Sequence, residues 1–191
     1  MTDSLEPVRV SMRLNVATAV SAFPFAVITI FSRLDDATIA LLVWGGFLLL
    51  SGLLHTIVLL GMGRPHGWWT WWVGHSVSAV TLGVLALWFA QTGSVALLTW
   101  SIAVWAVLAG GSSLVQGFRQ DRRSPVRSDW TTLGGGTLFL GLLVMIVPPE
   151  VYWMMGLAGV WAAMVIVFVI IATLSARTVI AQHNSGQEEG V

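Results

Sequence analysis

The stretch ATIALLVWGGFLLLSGLLHTIVLLG, residues 37–61, decides the fold class of this chain. It contains no Asp, Glu, Lys or Arg. A helix needs about 20 mostly apolar residues to cross the roughly 30 Å of hydrocarbon in a bilayer. A helix also satisfies every backbone polar group within its own segment, as the membrane interior requires. The stretch therefore predicts a membrane-spanning α-helix.

The composition of the whole chain extends this prediction to six spans. Of the 191 residues, 56% are hydrophobic and 9% are charged, and the mean hydropathy is +0.83. Soluble domains carry about 25% charged residues. The predicted spans are Leu14–Ser32, Ala37–Gly61, Trp71–Phe89, Val95–Val115, Thr131–Val147 and Val151–Leu174. We therefore predict an all-α integral membrane protein with a six-helix domain over residues 14–177. A segment of residues 1–13 precedes it, and a polar tail of residues 178–191, expected to be disordered from Gln182, follows it.

The arginines predict how the helices are oriented in the membrane. All nine basic residues are arginine, and all but Arg33 fall on one side of the six predicted spans. That side holds Arg9, Arg13, Arg64, Arg119, Arg122, Arg123, Arg127 and Arg177. Short loops rich in arginine stay in the cytoplasm. Both termini are therefore expected inside, with residues 1–13 and 178–191 cytoplasmic.

Internal repeats group the six spans into three tandem helical hairpins, at about residues 14–62, 71–118 and 131–177. The run from Ala40 to Trp44 matches the run from Ala96 to Trp100, 56 positions later. Val104-Trp105-Ala106 matches Val160-Trp161-Ala162 at the same offset. Because the outer connections are short, each is expected to close a tight hairpin. Such parallel repeats are related by an axis along the membrane normal.

The second helix of each hairpin carries a Trp or Gly early and a small residue near its middle. The stretches concerned run from Trp44 to His55, from Val104 to Arg119 and from Gly159 to Arg177. In these stretches the chain resembles the HdeD-like membrane proteins, which are built from short repeats of a domain of unknown function. The third unit departs from the pattern, since Val165-Ile166-Val167 stands where that family usually has a glycine. The resemblance implies a bacterial protein of the cytoplasmic membrane that is associated with acid resistance, and it supplies no catalytic residues.

We therefore expect a non-enzymatic protein that supports acid or envelope stress tolerance through scaffolding or membrane stabilisation. Its expected partners are the lipid bilayer, including anionic lipids, and a membrane protein or a second copy of the chain. No nucleic acid and no cofactor are expected. The absence of cysteine excludes disulfides and thiolate chemistry. Two alternatives stay open: a small permease or channel for a neutral solute, and a haem-bearing membrane redox protein.

His55 and His75 are the candidate ligand residues for the haem alternative. Both lie in predicted spans, at similar depths from the cytoplasmic side, and the connection between their spans is short. Two facing histidines can ligate haem or respond to pH. Histidines inside a helix bundle also serve as packing residues that hydrogen-bond to neighbouring helices. Ser76 follows His75 directly, so their side chains should diverge by about 100° and form no catalytic dyad.

Three further groups of residues are predicted from their positions. Four tryptophans near the start of the third span are expected as interfacial anchors, namely Trp68, Trp69, Trp71 and Trp72. Four arginines in the connection between the fourth and fifth spans are expected to meet anionic lipid, namely Arg119, Arg122, Arg123 and Arg127. The run Gly134-Gly135-Gly136 predicts close helix packing near the bundle axis.

Overall fold

The computed structural model describes residues 6–61, 69–120 and 125–188, with side chains described for 10–61, 72–120 and 126–178. Within these ranges the chain forms six α-helices and one short 3-10 helix, Ala90–Thr92. The α-helices are α1 (Glu6–Phe31), α2 (Ala37–Gly61), α3 (Trp69–Trp88), α4 (Val95–Arg119), α5 (Pro125–Ile146) and α6 (Val151–Glu188). The all-α prediction is confirmed for this part of the chain.

Most of these helices have the length and composition to cross a membrane. Five such segments occur among the described residues, namely Val10–Phe31, Ala37–Gly61, Val95–Arg119, Val126–Ile146 and Val151–Thr178. The apolar part of α3, Trp72–Trp88, is shorter. These apolar helices support a membrane protein. Helix α6 continues to Glu188, so the expectation of a disordered tail is wrong for residues 182–188, and residues 189–191 lie outside the described part of the chain.

Three short connections join the helices at one end of the bundle, which we call the turn end. Asp36 precedes α2, and its carboxylate accepts hydrogen bonds from the backbone N–H groups of Thr38 and Ile39 at 2.6 and 3.3 Å. Ser94 precedes α4 and accepts from the N–H of Leu97. Gly93 adopts φ 57°, a left-handed conformation that glycine tolerates without steric cost. The opposite end, where α1 begins and α6 ends, is called the terminal end.

The closest helix packing does not follow the predicted hairpins. The most extensive contacts are between α4 and α5, followed by α2 with α3 and α1 with α6. The hairpin partners joined at the turn end contact each other less. We call these three close contacts the seams of the bundle. Because α6 packs on α1, the first and last helices close the six helices into a ring.

Glycine explains why the α2–α3 and α4–α5 seams are so close. A Cβ atom on Gly110 would lie 2.8 Å from the carbonyl oxygen of Gly134, and one on Gly134 would lie 2.8 Å from that of Gly110. Gly45 and Gly83 face each other in the same way, at 3.0 Å. Backbones approach this closely only where no side chain intervenes. In the α6–α1 seam, Gly159 of α6 faces the side chain of Thr29 of α1.

The glycine run of α5 contributes only its first member to helix contact. Gly134 lies in the α4–α5 seam, whereas a Cβ atom on Gly135 or Gly136 would meet no atom within 4 Å. The prediction of tight packing is therefore wrong for Gly135 and Gly136. Successive residues of a helix point about 100° apart, so three adjacent glycines cannot face one neighbour.

The first and second units align in the structure at a slightly different offset from the sequence match, whereas the second and third units keep the offset of 56. Phe47 is the eleventh residue of α2, as Trp105 is of α4 and Trp161 is of α6. Phe47 and Trp105 lie 58 positions apart, two more than the sequence match. The matched pair Trp44 and Trp100 differs in environment, with exposed fractions of 0% and 57%. A shift of two residues turns a helix by about 200°. The sequence match between Trp44 and Trp100 therefore pairs residues on opposite faces of their helices.

Candidate functional site

Three rings from equivalent helix positions meet on the bundle axis. The ring centroids of Phe47 and Trp105 lie 5.8 Å apart, those of Phe47 and Trp161 6.2 Å, and those of Trp105 and Trp161 4.9 Å. All three pairs are edge-to-face, with interplanar angles of 77°, 72° and 86°. We call this group the aromatic trio. Each trio residue is about 15 Å along its helix from the turn end, so the trio closes the bundle near its middle.

His55 lies on the terminal side of the trio and is 2% exposed. Its Nδ1 donates to the carbonyl oxygen of Ser51 at 2.8 Å, since a carbonyl can only accept. Its Nε2 lies 3.2 Å from the hydroxyl oxygen of Thr18 in α1. The same hydroxyl is 3.0 Å from the carbonyl oxygen of Leu14. Both ring nitrogens are therefore engaged, and they join α2 to α1.

His75 packs directly against His55, so the structure brings the two candidate histidines together. Their ring centroids lie 5.2 Å apart at an interplanar angle of 72°. Trp72 stacks on His55 at 5.7 Å and 15° and contacts Trp130 edge-on at 4.6 Å. The indole N–H of Trp130 donates to the hydroxyl of Ser11 at 3.0 Å. This histidine–tryptophan cluster links α1, α2, α3 and α5.

Trp72 is therefore a core residue and not the interfacial anchor that the sequence predicted. It is 6% exposed and packs with Leu14, Leu59 and Trp130. Its position on α3 turns it toward the bundle. Of the other predicted anchors, Trp68 and the side chains of Trp69 and Trp71 lie outside the described residues.

The predicted arginine cluster is described only in part. Arg119 ends α4 with an exposed side chain, and Arg127 is half-buried in the first turns of α5. Arg122 and Arg123 lie outside the described residues. The two described arginines thus flank the connection between α4 and α5 at the terminal end.

A small cavity separates the aromatic trio from the histidines. Its volume is about 40 Å³, which is room for one or two water molecules. The trio forms its apolar wall, together with Trp72, Ala109 and Leu133. Its polar wall consists of Thr18, Ser51, His55, His75, Ser113 and Thr137. We call this space the central cavity.

The buried hydroxyl groups mostly satisfy their own helices. Thr18, Ser113 and Thr137 each bond to a carbonyl oxygen four residues earlier. In contrast, Oγ of Ser76 and Nδ1 of His75 have no hydrogen-bond partner among the described residues. These adjacent residues therefore form no nucleophile–base pair with each other, as their helical spacing predicted.

The geometry of the histidine pair does not fit haem. A porphyrin must lie between its two axial imidazoles, but the His55 and His75 rings are in edge-to-face contact. Both nitrogens of His55 already face protein oxygens. The neighbouring cavity of about 40 Å³ is far too small for a macrocycle. The redox alternative therefore finds no support in this site.

Sequence reasoning found the two histidines but missed three other residues of this region. Thr18 and Ser11 come from α1 and Trp130 from α5, and their places depend on how the helices pack. The aromatic trio was also missed, although its equal position in three helices was a usable signal. The offset of 56 paired Trp105 with Trp161, but it paired Trp44 with Trp100 and so concealed Phe47.

Comparison with known proteins supplies no relative to guide the interpretation. No protein-family model, no curated protein and no solved structure matches this chain. The resemblance to HdeD-like proteins therefore stays a prediction.

Proposed function

We propose that the chain crosses a bacterial cytoplasmic membrane six times, with both termini in the cytoplasm and α3 as its shortest span. The arginine distribution supports this orientation. Exposed aromatic side chains at the turn end are also consistent with a position at headgroup level. They include Phe31, Trp88, Tyr152 and Trp153.

Within that membrane, we propose that the protein is of HdeD type and supports acid or envelope stress tolerance as a non-enzymatic scaffold. The observation that carries this proposal is how little space the described residues leave on the bundle axis. The aromatic trio fills the middle, and the central cavity on its terminal side has a volume of only about 40 Å³. A permease for a neutral solute requires a polar path between the repeats. A closed ring instead favours a rigid body that acts through its outer surface.

The outer surface is suited to contact with lipid and with other membrane proteins. Large apolar side chains such as Phe23, Leu53, Phe139 and Met164 are exposed around the ring. A groove of about 570 Å³ lies between the turn ends of α1 and α6. In this proposal lipid chains or a partner helix cover these surfaces, and anionic lipid lies near Arg119 and Arg127.

The proposal is tested by acid survival of a strain that lacks the gene. Reintroduction of the parent gene should restore survival. Ser113→Leu, which fills the central cavity, should restore it equally well, because a scaffold does not use the cavity. Overpacking costs about 1–3 kcal/mol, so membrane abundance and melting temperature are measured in parallel.

Two results would contradict the scaffold proposal. If loss of the gene leaves acid and envelope stress survival unchanged, the stress role is wrong. If the Ser113→Leu variant is abundant and folded but does not restore acid survival, the central cavity is required for function. The permease alternative would then be favoured.

A further inference from the structure

The buried polar groups of the bundle are distributed unequally along its axis. Around the central cavity and toward the terminal end lie Ser11, Thr18, Ser51, His55, His75, Ser76 and Gln116, all buried or half-buried. On the turn side of the aromatic trio, the core is mainly apolar and includes Trp44, Leu41, Leu98 and Met154. The buried hydroxyl groups of Thr99 and Ser101 on that side donate to carbonyl oxygens of their own helix. We propose that His55 and His75 form a proton-binding site that is reached from the terminal end and sealed toward the turn end.

Thr18 allows His55 to be well hydrogen-bonded both with and without the additional proton. In the neutral ring, Nδ1–H donates to Ser51, and the Thr18 hydroxyl donates to Nε2. When Nε2 binds a proton, the direction reverses: Nε2–H donates to Thr18, and the hydroxyl donates to the Leu14 carbonyl, 3.0 Å away. One rotation of a hydroxyl group thus accommodates either state. A hydroxyl is the side chain that can both donate and accept in this way.

Trp72 supplies a second feature that suits a cationic ring. Its indole lies nearly parallel to His55, with centroids 5.7 Å apart. A cation within about 6 Å of an indole face is attracted by the negative charge of that face. The carbonyl of Ser51, the hydroxyl of Thr18 and the indole of Trp72 therefore surround the imidazolium without any carboxylate.

His75 limits the site to one proton. The two rings are 5.2 Å apart, and two like charges at this distance repel each other strongly in a medium of low dielectric constant. Uptake is therefore the addition of one H⁺ from water to one imidazole nitrogen. The site gains one positive charge, and no other bond is broken.

Other titratable groups occur on the helices packed around the site. The described ones near the terminal end are Arg13 of α1, Arg119 of α4, Asp129 and Arg127 of α5, and Arg177 of α6. Asp129 is half-buried and lies one residue before Trp130 of the histidine–tryptophan cluster. Proton uptake by the histidines must therefore be distinguished from uptake by Asp129, which requires a signal from the histidine rings themselves.

Depth determines which side of the membrane the site senses. Six residues separate His55 from the end of α2 at Gly61, and six separate His75 from the start of α3 at Trp69. At 1.5 Å per residue both lie about 9 Å from the terminal end. The trio and the apolar core lie between them and the turn end. In the proposed orientation the site would respond to cytoplasmic and not to external acid.

The test is the NMR titration of purified protein containing ¹⁵N-labelled histidine in detergent. The chain has four histidines, and His55→Gln and His75→Gln variants assign the two in question. As the pH is lowered, we expect the ¹⁵N signal of either His55 or His75 to move from the chemical shift of neutral imidazole to that of the imidazolium cation. The protein should stay folded over this pH range. Thr18→Val should weaken proton binding roughly tenfold, because hydrogen bonds to charged groups are about twice as strong as neutral ones.

Thr56→Val is the matched control, since the Thr56 hydroxyl donates to the carbonyl oxygen of Gly52 in its own helix and has no hydrogen bond to either histidine among the described residues. It should leave the titration unchanged. The proposal is overturned if neither His55 nor His75 titrates before the protein unfolds. It is equally overturned if Thr18→Val and Thr56→Val have the same effect. Because the measurement uses purified protein, its result does not depend on the proposed stress role.

Discussion

At the scale of single residues, the aromatic trio is the contact that joins all three repeats. Its edge-to-face geometry is the arrangement that aromatic quadrupoles prefer, and each such pair contributes about 0.5–1.5 kcal/mol beyond its buried area. Trp161 is held further by a hydrogen bond from its indole N–H to the hydroxyl of Thr137 at 3.2 Å. The trio should therefore be among the largest single contributors to stability.

Replacement of Trp105 tests this contribution. Trp105→Ala removes one trio ring and should destabilise the folded protein by about 3–5 kcal/mol, the usual cost of deleting a buried tryptophan. Trp100→Ala in the same helix is the control, because Trp100 is exposed. The melting temperature in detergent should fall clearly for Trp105→Ala and little for Trp100→Ala. Equal decreases in melting temperature for the two variants would mean that the trio contributes no more to stability than an exposed tryptophan does.

The same tryptophans show what residue identity alone can predict. Hydropathy and the low share of charged residues predicted a membrane protein, and both depend only on composition. Which tryptophan is buried depends on the face of the helix, and this differs between Trp44 and Trp100 although their local sequences match. The approach of His55 and His75 was predictable from equal depth beside a short connection. Thr18 was not, since its place depends on how α1 meets α2.

At the scale of helices, the seams depend on glycines that recur every seven residues. Gly45 and Gly52 of α2, Gly110 and Gly117 of α4, and Gly134 and Gly141 of α5 all show this spacing. A heptad returns to nearly the same face of a helix, with a drift of about 20°. The spacing therefore produces a continuous strip along which a neighbouring helix can approach.

Gly134 and Gly135 offer a matched test of this strip. Gly134→Ala places a methyl group against the backbone of α4, and overpacking of this kind costs about 1–3 kcal/mol. Gly135→Ala meets open space and should be neutral or slightly stabilising, because alanine favours the helix. Thermal unfolding in detergent measures both. A lower melting temperature for Gly135→Ala than for Gly134→Ala would contradict the assignment of the seam.

Helix positions were predicted well, while helix pairing was not. Ala37–Gly61 has the same bounds in the sequence analysis and in the structure. Pairing was inferred from loop length, and short turns do keep consecutive helices adjacent. The extent of contact between two helices, however, depends on the small residues on their facing surfaces. Because the glycines lie on the seam faces, the seam contacts are more extensive than the contacts within the predicted hairpins.

At the scale of the whole molecule, the ring defines two ends that differ in charge. Thr92 lies at the turn end and is exposed, whereas Ser124 lies between α4 and α5 on the arginine-rich side. The chain has no cysteine, so single introduced cysteines can be labelled without background. Thr92→Cys should react with an impermeant thiol reagent in intact cells, and Ser124→Cys should react only after lysis. The opposite pattern would invert the proposed orientation.

The α6–α1 seam has a consequence for biosynthesis. Of the six described helices, α1 leaves the ribosome before the others, and the helix it contacts most extensively, α6, is made after them. At ordinary translation rates, α1 waits on the order of ten seconds before α6 is complete. During that time its seam face, including Thr29, must be covered by lipid or by an insertion factor. A nascent chain that stops before α6 therefore leaves the seam face of α1 without its helical partner, and its ring stays open.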